Sequence, residues 1–301
     1  MINSMYQQPA NPLRELNRFF HQKSALSVLI IINISIWILI QILKVLFFLF
    51  NQPESSAAVQ IVLYYFALPA YLPGLMTKPW SLMTYMFLHV DFWHIIFNML
   101  WLYWFGKIFL EYLNGQKLWI VYLLGGLSGG LFYILAFNIF PVFSTMIPQS
   151  FALGASASVM AVVTAISFYV PQYSIQLLFI GRIRIIYLAI ILFIFDFFMI
   201  PTGNSGGHLA HIGGALFGFV YSQMITGRTT SSIGNLFRKY RNKDRYYTGF
   251  SSRPMSDEAY NSRKVEQQKR IDEILEKISK GGYDSLSKEE KEFLFKTSTK
   301  K

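Results

Sequence analysis

The stretch Phe151-Ala-Leu-Gly-Ala-Ser-Ala-Ser-Val-Met-Ala161 sets a serine, Ser156, among small residues just where an apolar segment begins. A serine hydroxyl is a poor nucleophile until a base takes its proton, so the reading turns on which histidine of another segment can reach it. The candidate is His211, in Gly207-His-Leu-Ala-His-Ile-Gly-Gly-Ala-Leu-Phe-Gly218. Around the serine lie Gly154, Ala157, Ser158, Ala161 and Ala165, and around the histidine Ala210, Gly214 and Gly218 recur in small-xxx-small spacing. Two such faces pack closely, and close helix axes are what a hydroxyl and an imidazole need to come within about 3 Å.

Outward from that pair, the composition sets the medium. Of 301 residues, 53% are hydrophobic and 14% charged, which excludes an ordinary soluble domain and predicts an all-α polytopic membrane protein. The net charge of +11 would suggest nucleic acid in a soluble protein. Here 18 of the 27 basic and 11 of the 16 acidic side chains fall in residues 227–301, the pattern of a segment beside an anionic leaflet, so the bilayer is the expected partner and nucleic acid is not. The absence of cysteine removes disulfides, thiolate metal sites and a cysteine nucleophile together. The polar first 24 residues, with Arg14, Arg18 and Lys23, do not read as a cleavable signal.

Six segments approach the roughly 20 apolar residues a span needs: 25–48, 92–111, 118–139, 152–170, 185–200 and 208–226. The chain therefore divides into a tail at 1–24, a six-helix membrane domain at 25–226, and a basic linker with a helical segment at 227–301. Within the long connection 51–91, Gln60–Leu75 is apolar but interrupted by Pro69, Pro73 and Gly74, and reads as a re-entrant or interfacial loop with Trp80 at headgroup level. With both termini cytosolic, Lys107, Lys117, Arg182, Arg184 and the tail lie inside and only Lys44 and Lys78 outside. A bacterial inner membrane is the expected location. His94 and Asn98, Ser156 and His211 then open three segments running the same way, and counting residues from each opening predicts a shared depth of roughly 5 to 9 Å below the outer surface.

Each of these side chains also has a plainer reading. Serine is common at helix contacts, and Ser158 fits that role. His208 suits a histidine satisfied by a backbone carbonyl, and His89, His94, His208 and His211 together offer four imidazoles to a metal, although no His-Glu-x-x-His is present and no metal or cofactor is expected. Asn98 and His94, one turn apart on one face, supply the donor types that hold an oxyanion, or else interhelical hydrogen bonds. Asp196 is the acidic residue that accompanies the histidines within a span, and it could orient His211.

These residues resemble the rhomboid family of intramembrane serine proteases, over residues 25–226. Gly154-Ala-Ser156 looks like the family's Gly-x-Ser nucleophile motif, Ala-His211-Ile-Gly-Gly-x-x-x-Gly like its general-base motif, and His89-x4-His94-x3-Asn98 like its oxyanion side; Glu111 and the long first loop are also similar. The resemblance implies a rhomboid-like bundle, a Ser156–His211 dyad without an acid, His94 and Asn98 on the oxyanion, and membrane-anchored substrates cut in or near their transmembrane segments. Three positions depart from the pattern: Ala157 where glycine is common, Met160 where an aromatic is common, and Trp80-Ser81 in place of Trp-Arg. The competing reading is an inactive relative that binds membrane clients. A transporter is disfavoured by the lack of an inverted repeat or charged pathway.

In the tail, Ile271, Ile274, Leu275 and Ile278 form a helical stripe closed by Gly281-Gly282, and Ser287-x-x-Glu290 has capping-box spacing before Phe293.

Overall fold

A computed structural model describes residues 24–51, 56–177, 181–227, 273–274, 276–278, 281–282, 285–287 and 289–291. The linker after Gly227, the N-terminal tail, Ile271, Leu275 and Phe293 lie outside the described residues. The chain divides into two compact units, Met1–Arg241 and Asn242–Lys301.

In the first unit the order is α1 (Ala25–Asn51), α2 (Ser56–Phe66), β1 (Leu68–Pro69), α3 (Leu72–Thr77), α4 (Ser81–Thr84), α5 (Phe92–Tyr112), α6 (Gly115–Ile139), β2 (Phe151–Ala152), α7 (Ser156–Tyr169), β3 (Ser174–Leu177), β4 (Gly181–Arg184), α8 (Ile185–Met199) and α9 (Ser205–Ile225). Five of the six expected segments begin within three residues of their helices. Caps fix several starts: Ser24 Oγ accepts from Ser27 N at 3.1 Å, Asn114 Oδ1 from Lys117 N at 3.0 Å, and Asn204 Oδ1 from Gly207 N at 3.3 Å. The exception is the fourth segment, where residues 152–155 are not helical and Ser156 is the first helical residue.

The helices α6, α7 and α9 form the packed centre, with α5 against α7, α1 against α5 and α6, and α8 against α9 and α7. Small residues set their spacing. A methyl group added to Gly125 would lie 2.2 Å from the Ala161 Cβ, and one added to Gly218 would lie 2.3 Å from the Ala161 carbonyl oxygen. Polar ties supplement the apolar contacts. Asn33 Nδ2 donates to Tyr122 Oη at 3.0 Å, and Tyr122 Oη donates to Met86 O at 3.1 Å, linking α1, α6 and the first loop. Ser128 Oγ donates to Gly213 O at 2.9 Å across α6 and α9.

The outer faces are apolar. Phe50 on α1 is 80% exposed and Phe198 on α8 is 70% exposed, within long rows of exposed Leu, Ile, Val and Phe side chains. Contiguous apolar surface on this scale is costly in water and natural in lipid. By length and composition, Ala25–Phe50 and Gly115–Ile139 are each able to cross a membrane, whereas Ser156–Tyr169 and Ile185–Met199 are shorter apolar helices. The molecule is a mostly helical membrane protein.

The first loop is more ordered than its broken sequence suggests. α2 ends in carbonyls that have no acceptor role inside the helix, and three side chains satisfy them. Lys78 Nζ donates to Tyr64 O at 2.6 Å, Trp80 Nε1 to Tyr65 O at 2.8 Å, and Thr84 Oγ1 to Phe66 O at 2.7 Å. β1 then pairs antiparallel with β2, matching Leu68 to Ala152 and Pro69 to Phe151. That ladder ties the loop to the residues immediately before Ser156. A second hairpin, β3 with β4, occupies the connection before α8.

In the second unit, Ile274 and Leu286 are buried. Gly282 adopts φ +72° and its N–H reaches Ile278 O at 2.9 Å, closing the helical segment as its glycine pair predicts. Ser287 N donates to Glu290 Oε2 at 2.8 Å while Glu290 N donates to Ser287 Oγ at 3.3 Å, a reciprocal capping box. Glu290 also pairs with Lys277.

Candidate active site

Ser156 is presented by a turn that two hydrogen bonds from its backbone hold. Gly154 N donates to Tyr85 O at 2.9 Å, and Ala155 N donates to His89 Nε2 at 3.3 Å. Gly154 itself has φ +116°, a conformation that side-chain-bearing residues rarely adopt. Its bare α-carbon also faces His94: an added methyl would lie 2.7 Å from Cε1 and 2.9 Å from Nε2 of that ring. The glycine two residues before the serine is therefore required twice, by the backbone turn and by the imidazole against it.

His211 lies on α9, where the next turn meets the serine's helix backbone to backbone. A methyl added to Gly214 would lie 2.1 Å from the Ala157 carbonyl oxygen. Ala157 sits between two bare positions, since a methyl on Gly129 would come 2.5 Å from its Cβ. The departure from glycine at 157 is thus matched by a glycine on α6 that receives the extra methyl. Met160 is buried in the same helix.

Ser156 is the first residue of α7, whereas His211 is the seventh of α9, so counting along each helix does not equate them. Contact between α7 and α9 at Ala157 and Gly214 joins them instead. No Ser156–His211 hydrogen bond is formed among the described residues, and Ser156 is half-buried. Catalytic hydrogen bonds are often long in a free enzyme and close when substrate binds.

Of the two residues expected on the oxyanion side, His94 lies against Gly154. Asn98 is 6% exposed, and one of its amide hydrogens goes to His94 O at 2.8 Å, leaving the second for another acceptor. As the first residue of α7, Ser156 has an N–H with no partner inside the helix. His89 holds the turn rather than facing the site. It is 0% exposed, its ring lies 5.1 Å from that of His94, and by accepting from Ala155 it must carry its proton on Nδ1.

Burial first, and His94 second, push the His89 pKa down to about 3 from an ordinary 6.5. The unfolded chain therefore takes up a proton at His89 below pH 6.5 while the folded chain does not until near 3, so stability falls as pH drops through that window. The detergent-solubilised protein is expected to melt at lower temperature near pH 4 than near pH 7, and His89→Asn to narrow the gap; equal gaps in both proteins would contradict this assignment.

The carboxylate beside His211 is the feature that the sequence left open. Asp196 Oδ1 accepts from His211 Nδ1 at 2.8 Å and from His208 Nδ1 at 2.8 Å. The four-histidine metal set is not assembled this way; the ligand atoms that do converge, within 4.8 Å of one another, belong to Asp196, His208 and His211.

A mostly helical protein with apolar outer faces, in which the helix that begins at Ser156 meets the helix bearing His211 at bare glycines, points to the class. A rhomboid domain model matches residues 76–228, half of the chain, and the protein belongs to the rhomboid family. It is 33% identical over 144 residues to the RHOMBOID-like protein 12, mitochondrial, of Arabidopsis thaliana, an alignment covering 45% of this chain and 43% of that protein. The chain thus spans less than half the length of that relative. Residues 256–300 match a separate family of unknown function (DUF6576). The loop position where the family pattern has arginine is the buried Ser81, and the basic group anchoring this loop is Lys78.

Proposed function

We propose that this protein is an intramembrane serine endopeptidase that cuts membrane-anchored proteins in or near their transmembrane segments. The observation that carries the reading is the backbone contact between α7 and α9 at Ala157 and Gly214, one residue beyond Ser156 and three beyond His211. In the reaction, Ser156 Oγ attacks the scissile carbonyl as His211 Nε2 removes its proton, and the imidazolium returns that proton to the leaving amine. The Ser156 N–H, the free amide hydrogen of Asn98 and the His94 ring stabilise the oxyanion. Water then releases the acyl group.

The six helices of 14 residues or more cross the bilayer, with both termini on the basic, cytosolic side. At 14 residues α7 is about 21 Å long, short of a hydrocarbon core of roughly 30 Å, so Ser156 lies below the outer surface with residues 140–155 arranged above it. That recess admits water and an unwound segment of substrate. The location is a cell's inner membrane, bacterial on this reading, whereas the named relative is mitochondrial.

The test is cleavage of a single-span reporter by the full chain in proteoliposomes, followed by mass spectrometry of the fragments. One cut near the reporter's outer membrane boundary, absent with Ser156→Ala, is the expected result. Equal cleavage by both proteins would contradict the proposal.

A further inference from the structure

We infer that Asp196 is a positioning residue for His211: its carboxylate fixes the tautomer and the orientation of the imidazole that removes the serine proton. The inference rests on the assignment of His211 as base and adds to it a third member that the family resemblance does not supply.

Helix α8 is apolar from Ile185 to Met199 apart from Tyr187 and Asp196, and Asp196 is 5% exposed. An ionised carboxylate is costly to bury unless it is paired, so its partners decide its role. Both are histidines of α9, three residues apart on one helix face, and both approach the same oxygen, Oδ1, through Nδ1 at 2.8 Å. A carboxylate only accepts hydrogen bonds. Each Nδ1 therefore carries a proton, and each neutral ring keeps its lone pair on Nε2.

For His211 this is the tautomer that catalysis requires. A base that takes the Ser156 proton at Nε2 must have that nitrogen free, and the opposite tautomer would break the Asp196 contact and leave a buried oxygen with one donor fewer. The carboxylate also stabilises the imidazolium formed when the proton arrives, without itself being protonated. His208 occupies the other side of Oδ1. α8 has α9 and α7 as its chief neighbours, which makes the two bonds a main polar link between α8 and the base-bearing helix.

The experiment combines kinetics with a direct reading of the ring. Wild-type full-length protein, labelled with 15N at histidine and dispersed in detergent, is expected to show the His211 ring neutral and protonated at Nδ1, the resonance being assigned by its loss in His211→Ala. A neutral ring protonated at Nε2 would overturn the inference without any Asp196 variant having to fold. Asp196→Asn, whose amide donates where the carboxylate accepted, is expected to lower kcat on the reporter by about 100-fold or more with KM within about twofold. Asp196→Glu is expected to recover part of that loss, and His208→Ala to leave kcat within about threefold of wild type. A kcat for Asp196→Asn equal to wild type, in a protein inactivated by His211→Ala, would overturn the role of Asp196 and leave the base assignment standing. Full activity of His211→Ala would instead overturn the base assignment. Because the same three ligand atoms could hold a metal ion, wild type is also assayed after dialysis against EDTA: unchanged activity agrees with orientation by hydrogen bonds, and loss restored by Zn2+ would overturn it.

Discussion

Ser156→Ala is expected to lower reporter cleavage by about 10^3-fold or more, because removal of a nucleophile leaves only binding and the oxyanion donors to act. The same change should leave the fold intact. Ser156 is half-buried, its hydroxyl makes no hydrogen bond among the described residues, and alanine already occupies positions 155 and 157 on either side. The turn is held by the Gly154 and Ala155 N–H groups, which alanine at 156 does not disturb. The melting temperature should therefore stay within a few degrees of wild type. A folded Ser156→Ala protein that cleaves at the wild-type rate would remove the nucleophile from the account, and a collapse in stability would mean the hydroxyl is structural.

Gly214→Val should produce the largest loss of stability. At this position the α9 backbone meets the Ala157 carbonyl, and even a methyl would sit 2.1 Å from that oxygen. Backbone cannot rotate away as a flexible side chain can, so α9 must move off α7. We expect a cost of about 3 kcal/mol, at the upper end for overpacking. Since the moved helix carries His211, whatever protein remains folded should also lose activity. Leu216→Ala, on the exposed face of the same helix, is the control and should change melting little. A Gly214→Val protein that melts with wild type would show that the two helices are not in contact as described.

The sequence announces its helices because lipid demands long apolar runs, and α1, α5, α6, α8 and α9 lie close to the predicted segments. It also announces the contact between α7 and α9, since the small residues around Ser156 and His211 occur where the two helices touch. Three features were harder to see. The start of α7 depends on Leu68–Pro69 pairing with Phe151–Ala152, a long-range ladder of two residues per strand with no periodicity to detect. The order of the first loop comes from Lys78, Trp80 and Thr84 meeting the last carbonyls of α2, a match of donors to a helix end that hydropathy does not register. The partnership of Asp196 with two histidines joins different helices, and only the presence of an acid in an otherwise apolar segment hinted at it. In the tail, by contrast, Ser287 and Glu290 cap locally, and their spacing alone was sufficient.

The capacity of the Ser156 oxygen to act as a nucleophile activated by His211 is measured most directly by labelling. The full chain in detergent is treated with a fluorophosphonate and digested, and the adduct is located by mass spectrometry. The account predicts one adduct, on Ser156, lost in Ser156→Ala and strongly reduced in His211→Ala. No adduct, an adduct on another serine, or equal labelling of His211→Ala would contradict it.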